Sequence, residues 1–208
     1  MATKTTEEVV EETPQVEEDN EISLLSLVES EENTMADSEV KFERLNNTSK
    51  VKFLNTTPKA TTAKWDIIGR GITSNENSYG AKTTDEHWII EDNERHSLDG
   101  YSLGSDVEQT AIKGDGVFEY VDDLMYRMAK GSECETQMLE IYKYRVDETG
   151  DTPKYDARLF NVLIIPDTDT IEGGSALKIK YKIQVQGDPT FGTVTFANGV
   201  PTFTEKTE

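Results

Sequence analysis

The chain has a single cysteine, Cys134, and only two histidines, His87 and His96. One cysteine excludes an internal disulfide framework and a cysteine-based zinc site. The histidines lack partner ligands at fixed offsets, so neither a metal nor a cofactor is expected. No apolar run approaches the roughly 18 residues a membrane-spanning helix needs, and no membrane association is expected. The first residues lack the basic-then-apolar pattern of a secretory leader. Basic residues are scarce: 21 against 41 acids over 208 residues, a net charge of −20. Gripping phosphates needs clustered Lys and Arg, so this balance argues against stable nucleic-acid binding. The motifs G-x-S-x-G, the phosphate-binding glycine loop and H-E-x-x-H are also missing. A soluble, non-enzymatic protein from a reducing compartment is the expectation.

The charge that is present lies unevenly. Residues 1–40 hold 13 acids and one base, Lys4. They contain few side chains able to bury surface against the entropy of ordering. Residues 1–37 are therefore expected to form a disordered acidic arm, interrupted by a short apolar patch at Ile22, Leu24, Leu25, Leu27 and Val28. Residues 38–208 are expected to form the folded domain.

Within that domain the hydrophobic pattern is mainly that of strands. Val51 and Phe53 alternate with lysines, and Trp65–Ile72 is an apolar strand punctuated by Gly69 and Gly71. Thr73–Asp85 is polar and rich in turn residues, a long loop with room for a role of its own. His87–Glu91 reads as a strand around Trp88, Ile89 and Ile90. Met138–Val146 and Arg158–Ile165 follow, the latter apolar on both faces. Leu177–Val185 alternates with Lys178, Lys180 and Lys182, giving one buried and one cationic face. Asn198-Gly199 between Phe191–Phe196 and Val200–Phe203 is a strong hairpin signal. One helix is predicted over 115–130, with Val117, Phe118, Val121, Leu124, Met125 and Met128 on one stripe. Asp115 is its expected N-cap and Gly131 its expected terminator. The fold class is mainly β (α+β), a β-sandwich or small β-barrel flanked by one amphipathic helix.

Chemistry-bearing residues are few. Cys134 is flanked by Glu133 and Glu135, the opposite of the electropositive setting a reactive thiol needs. Asp167, Asp169 and Glu172 with Gly173-Gly174 partly match a calcium loop, but the glycine offset is wrong and the closing Glu is missing. Gly69-Arg70-Gly71 opens no helix and is no dinucleotide fingerprint. Catalysis would need a pair of carboxylates, and no pair stands out. Exposed strand edges must be paired, covered or charged, and a ring of subunits is one way to pair them.

The block WDIIGRGITSNENSY, then HWIIEDNERHSLDGYSLGSDVEQTAIKGDGVFEYVDDL, resembles the major tail tube proteins of long-tailed, siphovirus-type bacteriophages with Gram-positive hosts. So does the end of the chain, from ALKIKYKIQVQGDPTFGTVTF to NGVPTF. The similarity spans about Ser38–Phe203 and leaves out the acidic arm. It implies a tail-tube-like sandwich assembling into hexameric rings that stack into a hollow tube, with a negatively charged lumen for DNA passage during ejection. It implies self-association as the main partnership, with tail tip and terminator proteins at the ends. The tape measure protein and DNA would occupy the lumen transiently. Location would be the virion tail, after synthesis in the host cytoplasm. The loop after the Trp strand, with Ser74, Asn75, Asn77, Tyr79 and Lys82, would reach the neighbouring ring. The alternative is a non-enzymatic capsid decoration or surface-binding module on the same sandwich.

Overall fold

A computed structural model describes residues 43–206; the acidic arm expected over residues 1–37 lies outside these residues. Ten strands, in chain order, are β1 (Lys50–Asn55), β2 (Trp65–Ile67), β3 (Asn75–Ser78), β4 (Lys82–Glu86), β5 (Arg95–Gly100), β6 (Gly104–Thr110), β7 (Glu135–Asp147), β8 (Lys154–Thr170), β9 (Lys178–Ala197) and β10 (Val200–Glu205). One helix, α1 (Gly116–Tyr126), lies between β6 and β7. Eight strands form one antiparallel sheet in the order β2-β1-β7-β8-β9-β6-β3, with β10 also on β9. β4 and β5 form a separate two-stranded hairpin.

The large sheet curls until its ends meet. Lys52 on β1 donates its Nζ to Oδ1 of Asn75 at 2.8 Å and of Asn77 at 2.5 Å, both on β3. Four strands separate β1 from β3 in the ladder. With about 4.8 Å between neighbours, a flat sheet would hold them more than 20 Å apart. The junction is made by side chains and not by a backbone ladder, so the sheet stays open and the barrel alternative is not realised.

Two apolar cores lie on opposite faces, as strand alternation requires. On the inner face Leu54, Met138, Phe160, Val162, Ile164, Ile183 and Tyr181 pack with Val117, Val121 and Leu124 of α1. On the outer face Phe53, Leu139, Ile141, Ala157 and Val194 pack with Trp65, Phe196 and Phe203. β9 serves both. Its odd residues Ile179, Tyr181 and Ile183 face the inner core, whereas Val194 and Phe196 face the outer one. A bulge interrupts the strand without changing that alternation: Gln186 opposes Asn161, and the next registered pair is Thr190 with Leu159. Gly187, at φ +70°, opens that bulge.

The helix is shorter than its periodicity implies. Asp115 caps it, its carboxylate accepting from the Phe118 N–H at 3.0 Å. Val117, Val121 and Leu124 are buried, and Phe118 and Met125 are partly buried against the inner core. Met128 leaves the stripe: it is 80% exposed at φ +49°. The Ala129 N–H reaches the Leu124 carbonyl at 3.0 Å and the Met128 N–H that of Met125 at 3.1 Å. That pair of bonds is a Schellman ending, so the left-handed residue that closes the helix is Met128; Gly131, also at positive φ (+59°), comes three residues later.

Other expectations change too. The Trp strand stops at Ile67, and the chain turns through Gly71 at φ +71°, where a Cβ would lie 2.6 Å from the Thr110 carbonyl oxygen. Thr73–Asp85 is no loop, since it contains β3 and most of β4. The strand expected over His87–Glu91 is the turn joining β4 to β5. Asn198-Gly199 forms the β9–β10 turn with both φ positive, as a two-residue hairpin requires.

Candidate assembly surface

The polar seam between β1 and β3 centres on Glu140 of β7, which is almost fully buried. Its carboxylate accepts from Lys50 Nζ at 2.7 Å, Arg158 at 2.5 Å and the Tyr142 hydroxyl at 2.7 Å. Burial alone would raise its pKa, but the bonds from Lys50, Arg158 and Tyr142 outweigh that and hold it below the usual carboxylate range. Lys52 is pulled the other way, to about 8: burial disfavours its charge more than Glu140 restores it. Tyr142 is pushed up by burial and then by its bond to Glu140. A second buried chain of bonds ties the helix to the sheet. The Tyr181 hydroxyl donates to Gln109 at 3.1 Å, and Gln109 Nε2 donates to Asp115 at 2.7 Å.

Beyond Glu140 the inner face opens into a cleft of about 1300 Å³. A bulge in β7 shapes it, because Lys143, Tyr144 and Arg145 intervene between the registered pairs of Tyr142 and Val146. Pro189 and Phe191, at the β9 bulge, line the facing wall. The Tyr142 ring carries three cations: Lys50 at 4.9 Å, Arg158 at 5.2 Å and Arg145 at 5.4 Å from its centroid. Lys50 and Arg158 also pair with Glu140, whereas Arg145 has no carboxylate partner among the described residues.

The β4–β5 hairpin leaves the body next to this cleft. Tyr79 at its base lines the cleft and stacks edge-on with Tyr101 at 6.2 Å. Every residue of β4, and all of β5 but Gly100, is exposed. At the tip Trp88 lies under the Arg95 guanidinium at 4.1 Å, while Ile89 is fully exposed and Ile90 is 84% exposed. An isolated two-stranded hairpin is marginal in water. Asp85 and His96 face each other across it at 2.6 Å. With Glu94 they are the only three metal-ligand-type groups brought together among the described residues, all on the exposed surface.

Of the residues predicted to reach a neighbour, Ser74, Tyr79 and Lys82 are exposed, but Asn75 and Asn77 turn inward onto Lys52. Sequence reasoning missed Trp88, Ile89 and Ile90 as a projecting tip, although an apolar triplet set among acids was the available signal. The Lys178, Lys180 and Lys182 face meets acids of its own chain. Glu108 takes Lys178 at 2.7 Å and Lys180 at 3.0 Å, and Asp106 takes Lys182 at 3.5 Å. Asp167 and Asp169 lie along β8, and Glu172 in the connection after it. Cys134 is buried, and burial raises its pKa, as does Glu133.

No protein-family model and no curated protein matches the chain. Solved structures that share its architecture include two tail tubes. The SPP1 tail tube, solved by solid-state NMR and cryo-EM, aligns over 75% of this chain and 82% of that one with a TM-score of 0.53 at 11% identity. The tail of an empty gene transfer agent particle, refined with C6 symmetry, aligns over 71% of this chain and 98% of that one, TM-score 0.50 at 12% identity. The fold is a tail-tube fold.

Proposed function

We propose that this chain is a structural, non-enzymatic subunit of a bacteriophage tail tube, of the long-tailed type with a Gram-positive host. Copies form hexameric rings, and the rings stack into a hollow tube in the virion tail. The observation that carries this reading is the hairpin β4–β5, which projects apolar side chains from a tail-tube fold and is exposed along nearly its whole length. The free edges of β2 and β3 supply the lateral pairing that joins subunits into a ring. A net charge of −20 supports a lumen that repels DNA phosphates and lets the duplex slide through during ejection. Tail tip and terminator proteins would close the ends, and the tape measure protein would fill the lumen before DNA passes.

Electron microscopy of the purified chain across a concentration series, with light scattering alongside, tests this. Sixfold rings or hollow tubes are the expected result. A chain that stays monomeric at every concentration, and also on added tail tips, rejects it.

A further inference from the structure

We propose that Lys52 and Asn77 join covalently: the Lys52 amine displaces ammonia from the Asn77 side-chain amide, Glu140 relays the proton, and an isopeptide bond then ties β1 to β3. An amine attacks an amide when it is held against the carbonyl with a proton carrier beside the leaving nitrogen. Lys52 Nζ lies 2.5 Å from Asn77 Oδ1. The Cγ carbon is one bond of about 1.2 Å further, so nitrogen and carbon are at most roughly 3.7 Å apart, close to a near-attack separation. Asn75 Oδ1 holds the same amine at 2.8 Å and is itself fixed by the Ser105 hydroxyl at 2.7 Å.

Glu140 decides which asparagine reacts. The Asn77 Nδ2, the leaving nitrogen, donates to Glu140 Oε1 at 3.4 Å. The Nδ2 of Asn75 is buried with no hydrogen-bond partner among the described residues, so nothing there can protonate it for departure. Lys50 and Arg158 hold the Glu140 carboxylate in place. Burial lowers the Lys52 pKa to about 8, so part of the amine is neutral and nucleophilic near pH 7.

The step balances without an oxidant or cofactor. The ammonium first gives one proton to solvent. The Nζ lone pair then bonds to Asn77 Cγ, one Nζ proton passes to Glu140 and from it to Nδ2, the Cγ–Nδ2 bond breaks, and ammonia leaves. The free amine belongs to the chain before this reaction. Afterwards the two ends of the curled sheet, joined otherwise by side-chain hydrogen bonds, share a covalent link that closes a loop between residues 25 apart in the chain. Such a link restrains the unfolded chain as a disulfide does, in a protein whose one cysteine excludes an internal disulfide.

The test follows the full-length chain at pH 7 and pH 9 by intact mass and by tryptic mapping. A loss of about 17 Da, one ammonia, is expected on purification or during incubation. Mapping should yield a peptide joining residues 51–59 to 71–82, uncut after Lys52, with fragment ions placing the link on Asn77. Where the reaction is seen in progress, its initial rate should rise about tenfold from pH 7 to pH 9 as the neutral amine grows from roughly a tenth to nine tenths. Glu140→Gln should slow the link by roughly a hundredfold or more. Asn77→Ser, which leaves the ion pairs of Glu140 intact, should form none. An unchanged mass at both pH values overturns the proposal. Ammonia loss without the joined peptide, the mark of a succinimide, overturns it too, as does a link placed on Asn75. A Glu140→Gln chain that melts cooperatively and links at the parent rate removes Glu140 from the reaction and counts against it.

Discussion

Two residues carry conformations or charges that the fold imposes against their own preference. Met128 holds a left-handed backbone with its side chain in solvent. A Cβ there costs about 1–2 kcal/mol, partly offset for glycine by its freer unfolded chain. Met128→Gly is expected to stabilise the domain by roughly 0.5–1 kcal/mol, read as a raised urea midpoint. Lys52 is the second. Its pKa falls from the ordinary 10.5 to about 8 because burial disfavours its charge. Between those values the unfolded chain binds the extra proton, so stability rises with pH. Tyr142 and Tyr181 act oppositely: burial raises both, so only the unfolded tyrosines ionise once pH passes about 10. Stability is therefore expected to climb by on the order of 2 kcal/mol from pH 8 to a maximum near pH 10, then fall. Urea midpoints from pH 7 to 11, taken on chain with a free Lys52 amine, check this, and a flat profile between 8 and 10 would place Lys52 in water.

At the scale of elements, α1 and the β9–β10 hairpin show what local pattern achieves. Leu124 is buried on the helix stripe, and Leu124→Ala should cost about 2–5 kcal/mol. An unchanged thermal melt would detach the helix from the core. The stripe, the Asp115 cap and the Asn198-Gly199 turn were legible because each depends on residues within a few positions of one another. The end of the helix was not. Gly131 was the local candidate, yet the chain turns at Met128 because the Leu124 and Met125 carbonyls are satisfied there first. Thr73–Asp85 was misread for a related reason. Its β3 alternates Asn with Glu and Ser, with no apolar face, since the face it covers is the polar seam at Lys52.

For the whole molecule, the projecting hairpin is what the isolated domain leaves unpartnered. Replacing Trp88, Ile89 and Ile90 together by Ser should leave the thermal melt within about 0.5 kcal/mol of the parent, as for exposed sites. The same variant should lose self-association in sedimentation velocity. Retained assembly would move the contact elsewhere on the surface. The sequence by itself determined the mainly β character, the single flanking helix, the last hairpin and the lack of catalytic motifs, because periodicity, caps and turn chemistry act over short stretches of chain. The tertiary structure alone decided that β1 and β3 meet through Lys52, Asn75 and Asn77, and that opposite faces of β9 enter two different cores. It alone gathered Lys50, Arg145 and Arg158 on Tyr142. Those arrangements join residues far apart in the chain. Their energies come from burial and charge in a shared volume, which exists only once the sheet has curled.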